Sequence, residues 1–154
     1  MSPEGVERYG PTMTDLSTST SITVRAPATA VWRAITVPDV IKRWFFGVDT
    51  ETDWTVGSPI VHRGTYQGKP YVDRGVVLRF EPPRHLVHTH WSEVPGVASG
   101  PEHAQEVTWD VAEHEGATTL TVSERNLPSP EARATSETAW RTALDSLKTV
   151  VETT

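Results

Sequence analysis

Hydrophobic and polar positions divide the chain into three blocks. In the first, Thr20-Ser21-Ile22-Thr23-Val24 alternates polar and apolar residues, the period-two signature of a half-buried strand. Pro27 then stands where a first helical residue would, and the segment from Ala28 to Ile35 carries Val31, Trp32 and Ile35 at helical spacing. Thr36-Val37-Pro38-Asp39 repeats the start signal, with proline at the first helical position and an acid in the first turn. It predicts a second short helix that presents Val40, Ile41, Trp44 and Phe45 on one stripe.

From Val48 to Glu124 the pattern is strand and turn. Gly57-Ser58-Pro59 and Gln67-Gly68-Lys69-Pro70 punctuate the chain, with a strand over Ile60–Tyr66 between them. A longer strand covers Val72–Glu81, and simple alternation puts Val76, Leu78 and Phe80 on one face. Pro82-Pro83 turns the chain into a strand over Leu86–Trp91, and residues 93–102 form a long loop. Val107, Trp109 and Val111 alternate with polar neighbours, and a tight connection at 113–116 leads to Leu120 and Val122. Regular strand spacing predicts a mostly antiparallel sheet.

The third block is helical. Ser129-Pro130-Glu131 combines an N-cap, a proline and a first-turn acid. No glycine or proline follows, and Trp140, Leu144, Leu147 and Val151 form one apolar stripe. A helix from Pro130 to Glu152 would be roughly 34 Å long at ~1.5 Å per residue. Thr135, Ser136 and Thr138 are weak helix formers, which predicts that the first turns fray or break.

Length and composition narrow the class. The chain has 154 residues and no cysteine, which makes a single domain and excludes a disulfide framework, a thiol nucleophile and a thiolate zinc site. A formal charge of −6 argues against nucleic acid as a partner. No run reaches the ~18 apolar residues of a membrane span, and the N-terminus lacks the apolar core of a secretory signal. Residues 1–16 are expected to be a flexible tail, with Met13 as an alternative start, and residues 17–154 the domain. A cytoplasmic location is expected.

The order of elements and several local motifs point to a family. Pro27-Ala28-x-x-Val31-Trp32-x-Ala34-Ile35-Thr36, followed by Ile41-x-x-Trp44-Phe45, resembles the opening of the heat-shock-protein ATPase activator homologues. That branch belongs to the START-like, or SRPBCC, helix-grip superfamily. Gly75-x-Val77, Glu81-Pro82-Pro83-Arg84-x-Leu86-Val87 and Trp140-x3-Leu144-x2-Leu147 continue the likeness from Ser21 to Val151, while Ala139 stands where relatives often have glycine. The resemblance implies an α+β helix-grip fold: a curved, mostly antiparallel sheet of six or seven strands around a long C-terminal helix, with two short helices after strand 1. It also implies a cavity between sheet and helix, of the kind that holds apolar ligands in many relatives. The family name inherited from a co-chaperone does not by itself give a function.

Candidate chemistry is sparse. Trp32 reads as core packing, whereas Trp44, Trp109 and Trp140 fall where faces of such a cavity would meet. His88 and His90 share one strand face, together with Leu86, while Val87, Thr89 and Trp91 share the other, and alternation alone does not say which face is interior. With His62 or His103 they could form a metal or general-base site, but no carboxylate has matching spacing, so no metal and no cofactor is expected. Asp49, Glu51 and Asp53 read as a solvated edge, and Arg63, Arg74 and Arg79 as cross-strand salt-bridge partners. No phosphate-binding loop, dinucleotide fingerprint or nucleophile elbow occurs.

The expected function is binding of a small hydrophobic or aromatic molecule, as a non-catalytic carrier or sensor, by Trp44, Phe45, His62, Tyr66, His90, Trp109, Trp140 and Leu144. One alternative is a cyclase- or lyase-type enzyme using a cavity histidine or tyrosine. Another is a co-chaperone-like interaction module with a protein partner or a homodimer. A lining made of Trp, Phe, Val and Leu favours the carrier, and two or more hydrogen-bonded histidines or acids in the lining favour the enzyme.

Overall fold

Strand β1 (Ser17–Val24) is followed by helices α1 (Ala28–Thr36) and α2 (Pro38–Trp44), then by β2 (Asp49–Glu51), β3 (Pro59–Tyr66), β4 (Lys69–Glu81) and β5 (His85–Ser92). A single 3-10 turn (Pro101–His103) precedes β6 (Gln105–His114), β7 (Ala117–Arg125) and the long helix α3 (Pro130–Glu152). This computed structural model describes residues 14–93 and 100–154. The expected tail up to residue 13 and the central part of the 93–102 loop lie outside the described residues.

The seven strands form one curved antiparallel sheet in the order β1-β7-β6-β5-β4-β3-β2. β2 to β7 are sequential neighbours, and β1 closes on β7, so β1 and β2 are opposite edges of the sheet. Helices α1 and α2 therefore carry the chain across the concave side from one edge to the other. Alternation decides what faces them: Val24 on β1, Leu86 on β5, Val107, Trp109 and Val111 on β6, and Leu120 and Val122 on β7 are all buried in one core with Val31, Trp32, Ile35, Ile41 and Trp44 of the short helices.

Helix α3 lies along the concave side and adds Ala143, Leu144 and Leu147 to that core. Ser129 caps it by accepting from the Ala132 N–H at 3.1 Å, with Pro130 next. Contrary to expectation, the helix runs unbroken through Thr135, Ser136 and Thr138. Weak propensity is outweighed by the N-cap and by tertiary attachment, because the Ser136 hydroxyl donates to Glu124 on the sheet. At the far end Lys148 donates to the Thr23 carbonyl (2.6 Å), and Glu152 accepts from Lys148 and from the Arg25 N–H (both 2.7 Å).

β4 departs from simple alternation. Its pairing with β5 shifts by one residue between Val77 and Arg79, a bulge that reverses which residues point inward. Val77 is fully buried, Leu78 turns outward, and Phe80 returns to the core against Trp32 and Trp54. The expected face of Val76, Leu78 and Phe80 is thereby corrected to Val77 and Phe80. Gly75 sits just before this shift, where a Cβ would run into the Thr89 carbonyl. Only glycine lets β5 approach so closely.

Candidate functional site

The N-terminal half of α3 stands off the sheet where its C-terminal half packs down, and a cavity of about 650 Å³ remains between them. Ser136, Ala139 and Trp140 of α3, Ile41 and Trp44 of α2, and the following Phe45 and Phe46 wall one side. The inward residues of β3 to β7 wall the other. Phe46 and Tyr66, 60% and 69% exposed, mark the rim.

Aromatic side chains make up much of the wall. Phe45 stacks on Trp140 at 6.1 Å, Trp140 meets Trp109 edge-on at 5.3 Å, and Trp109 meets Trp44 edge-on at 6.2 Å. Each indole is also fixed by its own N–H. Trp44 donates to the Ala34 carbonyl (2.7 Å), Trp54 to the Thr36 carbonyl (2.8 Å), Trp109 to His88 Nε2 (3.1 Å) and Trp140 to Glu124 Oε1 (2.9 Å). Rings tied at both the face and the edge form a rigid wall.

Aliphatic side chains such as Ile41, Ile60, Leu86 and Val107 fill in between the rings, and the remaining lining is polar, with protons that can be assigned. His88 Nδ1 lies 2.9 Å from the Thr89 carbonyl, which can only accept, so Nδ1 carries the hydrogen and Nε2 accepts from Trp109. Both ring nitrogens are used, and burial pushes the His88 pKa down to about 4. His62 bonds the Thr50 hydroxyl at 2.9 Å. Burial, followed by the nearby charges of His88 and His90, lowers its pKa to about 3. Both rings are neutral at pH 7.

His90 and Asp73 form a third polar group. His90 Nε2 donates to Asp73 Oδ2 at 3.0 Å, and the Ser92 hydroxyl donates to Oδ1 at 2.8 Å. Burial alone would raise the Asp73 pKa, but these two bonds and the electrostatic attraction of His90 outweigh it and hold the carboxylate below its usual range. With Nε2 committed to Asp73, Nδ1 has no hydrogen-bond partner among the described residues. Glu124 is the fourth group. It is 8% exposed, and its Oε1 accepts from both Trp140 and Ser136.

Of the residues expected to bind a ligand, Trp44, Phe45, His62, Tyr66, His90, Trp109 and Trp140 all line this cavity. Leu144 does not. One turn beyond Trp140 on the same stripe, it is 1% exposed within the closed core. The interior face of β5 is that of Leu86, His88 and His90, because Leu86 pairs with Trp109 and His88 with Val107 on the inward face of β6. Although β4 separates them, sheet curvature brings His62 to the same cavity as His88 and His90.

Asp73 and Glu124 were not among the expected residues. Glu124 continues the inward series Leu120, Val122 by one more alternate position. Asp73 pairs with His62 across β3 and β4 and lies in a stretch with no apolar alternation to betray its face. Among the described residues no group of three His, Asp or Glu could hold a metal ion, and His103 is exposed in the 3-10 turn. Asp49 pairs with Lys42, and Arg63, Arg74 and Arg79 pair with Glu51, Glu93 and Glu81. No helix among the described residues is long and apolar enough to cross a membrane.

A family model described as Activator of Hsp90 ATPase homolog 1-like protein matches residues 25–152. Among solved structures, ChR145 from Cytophaga hutchinsonii is 30% identical over 92% of this chain and 97% of its own, with a TM-score of 0.78. CalU16 from Micromonospora echinospora is 26% identical over 92% and 82%, with a TM-score of 0.69. DynU16, a protein in the dynemicin biosynthetic locus, shares the fold at 23% identity and a TM-score of 0.75; the match covers 91% of this chain and 48% of DynU16, about half its length. No curated protein matches the chain.

Proposed function

The chain belongs to the family of Activator of Hsp90 ATPase homolog 1-like proteins, and on that premise we propose that it binds a small aromatic molecule between α3 and the sheet. The observation that carries this is the cavity itself, about 650 Å³ behind a wall of Trp44, Phe45, Trp54, Trp109 and Trp140. Such a volume falls within the ~300–1,000 Å³ of small-molecule sites. The indoles are fixed in advance by their N–H bonds and by one another, so little side-chain entropy is lost on binding. Of the large exposed apolar side chains, Phe46 and Tyr66 belong to the cavity rim, which favours a guest over a protein-docking surface.

A second reading has its own observation. Hydrogen-bonded histidines and acids line the cavity, which is the condition that favours an enzyme. Most of these groups are committed: His88 uses both ring nitrogens and is uncharged. His90 differs, since Asp73 orients it through Nε2 and leaves Nδ1 without a partner among the described residues, the arrangement of a general base and its positioning carboxylate. Binding is common to both readings.

Calorimetric titration with 2-naphthylmethanol tests binding. A micromolar Kd, worth about 8 kcal/mol, is expected. Trp109→Ala should weaken it at least about tenfold, while the remote Glu115→Ala should not. No saturable heat in the wild-type protein would count against the proposal. For proton transfer the probe is 5-nitrobenzisoxazole: a base removes the C3 proton, the N–O bond breaks, and a coloured phenolate forms. Acceleration that vanishes in His90→Gln and persists in Glu115→Ala supports catalysis. A wild-type rate equal to buffer leaves the carrier.

A further inference from the structure

We infer that the cavity selects a cationic guest, an aromatic molecule bearing an ammonium group, and seats that group against Glu124. This rests on the proposal that the cavity binds a small molecule and adds the charge that the molecule should carry. The first observation is an imbalance. Two acids, Asp73 and Glu124, line the cavity, and no lysine or arginine does so among the described residues. The histidines do not make up the difference at His62 and His88, which are neutral at pH 7.

The two acids are not equivalent. Asp73 has both oxygens occupied, by His90 and by Ser92. Glu124 is held through Oε1 alone, by the neutral donors Trp140 and Ser136, and its Oε2 makes no hydrogen bond among the described residues. Arg125, the next residue, points the other way and pairs with Glu106. A carboxylate that is more than nine-tenths buried, without a cation, is costly to keep. A guest that brings the missing cation recovers that cost.

The second observation is what surrounds Glu124. The indole that donates to it, Trp140, is packed between Phe45 and Trp109, with Trp44 behind Trp109. Ring faces attract cations through their quadrupole, most strongly when water is excluded. A carboxylate at the edge of an aromatic wall, with one oxygen still unpartnered among the described residues, is the chemistry that recognises an arylalkylammonium, and the same carboxylate repels an anionic guest. Fatty acids and aromatic acids are thereby disfavoured.

Three matched probes at pH 7.5 test this by calorimetry: 2-naphthylmethylammonium, 2-naphthylmethanol and 2-naphthoate. The ammonium should bind about tenfold tighter than the alcohol, and the naphthoate most weakly. Glu124→Gln keeps the acceptor for Trp140 and Ser136 and should erase the ammonium's advantage while leaving the alcohol's affinity within about twofold. Asp73→Asn should leave the advantage in place. Naphthoate binding as tightly as the ammonium would overturn the inference in the wild-type protein, whatever the variants do. An ammonium preference that survives Glu124→Gln, or is lost in Asp73→Asn, would also overturn the assignment to Glu124. If none of the three binds, the binding proposal itself falls.

Discussion

Acidification should unfold this protein earlier than its carboxylates alone require, because His62 and His88 are buried neutral. In the native state their pKa values are about 3 and about 4, against an ordinary 6.5 in the unfolded chain. For groups lowered in this way, the unfolded state binds protons that the native state refuses. Stability is therefore full above pH 6.5 and falls as the pH drops through 6.5 toward 4. Between pH 7 and pH 4.5 the loss is about 2 kcal/mol per histidine, or about 4–5 kcal/mol together. Asp73 and Glu152, whose pKa values are also lowered, act in the same direction but at lower pH, below the ordinary carboxylate range. With a urea slope of about 1–3 kcal/mol per molar, the midpoint should fall by about 2 M. Urea titrations followed by circular dichroism at half-unit pH steps measure this directly. His88→Gln should remove close to half of the pH dependence, even if it is less stable at pH 7. A wild-type midpoint that stays constant from pH 7 to pH 5 would refute the assignment of both rings as buried and neutral.

Three further substitutions probe the frame that holds the cavity open. Leu144→Ala should cost about 2–5 kcal/mol in urea unfolding, and an unchanged midpoint would show that α3 is not anchored by that stripe. Gly75→Ala places a Cβ against the Thr89 carbonyl and should cost at least about 1–3 kcal/mol; a neutral result would mean that β4 and β5 are not in such close approach. Ser129→Ala removes the N-cap of α3 and should lower stability by about 1 kcal/mol, measurable as a shift in Tm.

Much of this architecture is legible in the sequence, because strong periodicity and strong punctuation coincide there. The Ser129-Pro130 start and the Trp140-Leu144-Leu147 stripe mark α3, and Val107-Trp109-Val111 marks the inward face of β6. Helical and strand periodicity together carry seven of the candidate binding residues to the cavity, Trp44, Phe45 and Trp140 from the helical stripes and His62, Tyr66, His90 and Trp109 from the strands. What was hidden depends on three-dimensional relations. A one-residue bulge at Leu78 reverses the face of β4 without any proline or glycine at that position to announce it. The strand from Leu86 to Trp91 has apolar residues on both faces, so only its pairing with β6 shows that His88 points inward. Leu144 shares a stripe with Trp140, yet the cavity ends between them, where α3 closes on the sheet. Glu124 was within reach of simple alternation but was masked by its charge, since acids are rarely fully buried.

The six tryptophans supply the most direct test of the central claim, that a small aromatic molecule binds inside the cavity. Their indole N–H signals can be resolved in a ¹⁵N–¹H correlation spectrum and followed during a titration with 2-naphthylmethanol. Trp44, Trp54, Trp109 and Trp140 line the cavity, whereas Trp32 is core and Trp91 is on the opposite face of β5. Saturable shifts at the Trp44, Trp109 and Trp140 indoles, with Trp32 and Trp91 unmoved, are the predicted result. Shifts confined to Trp91, or no saturable shift at any cavity indole, would contradict it.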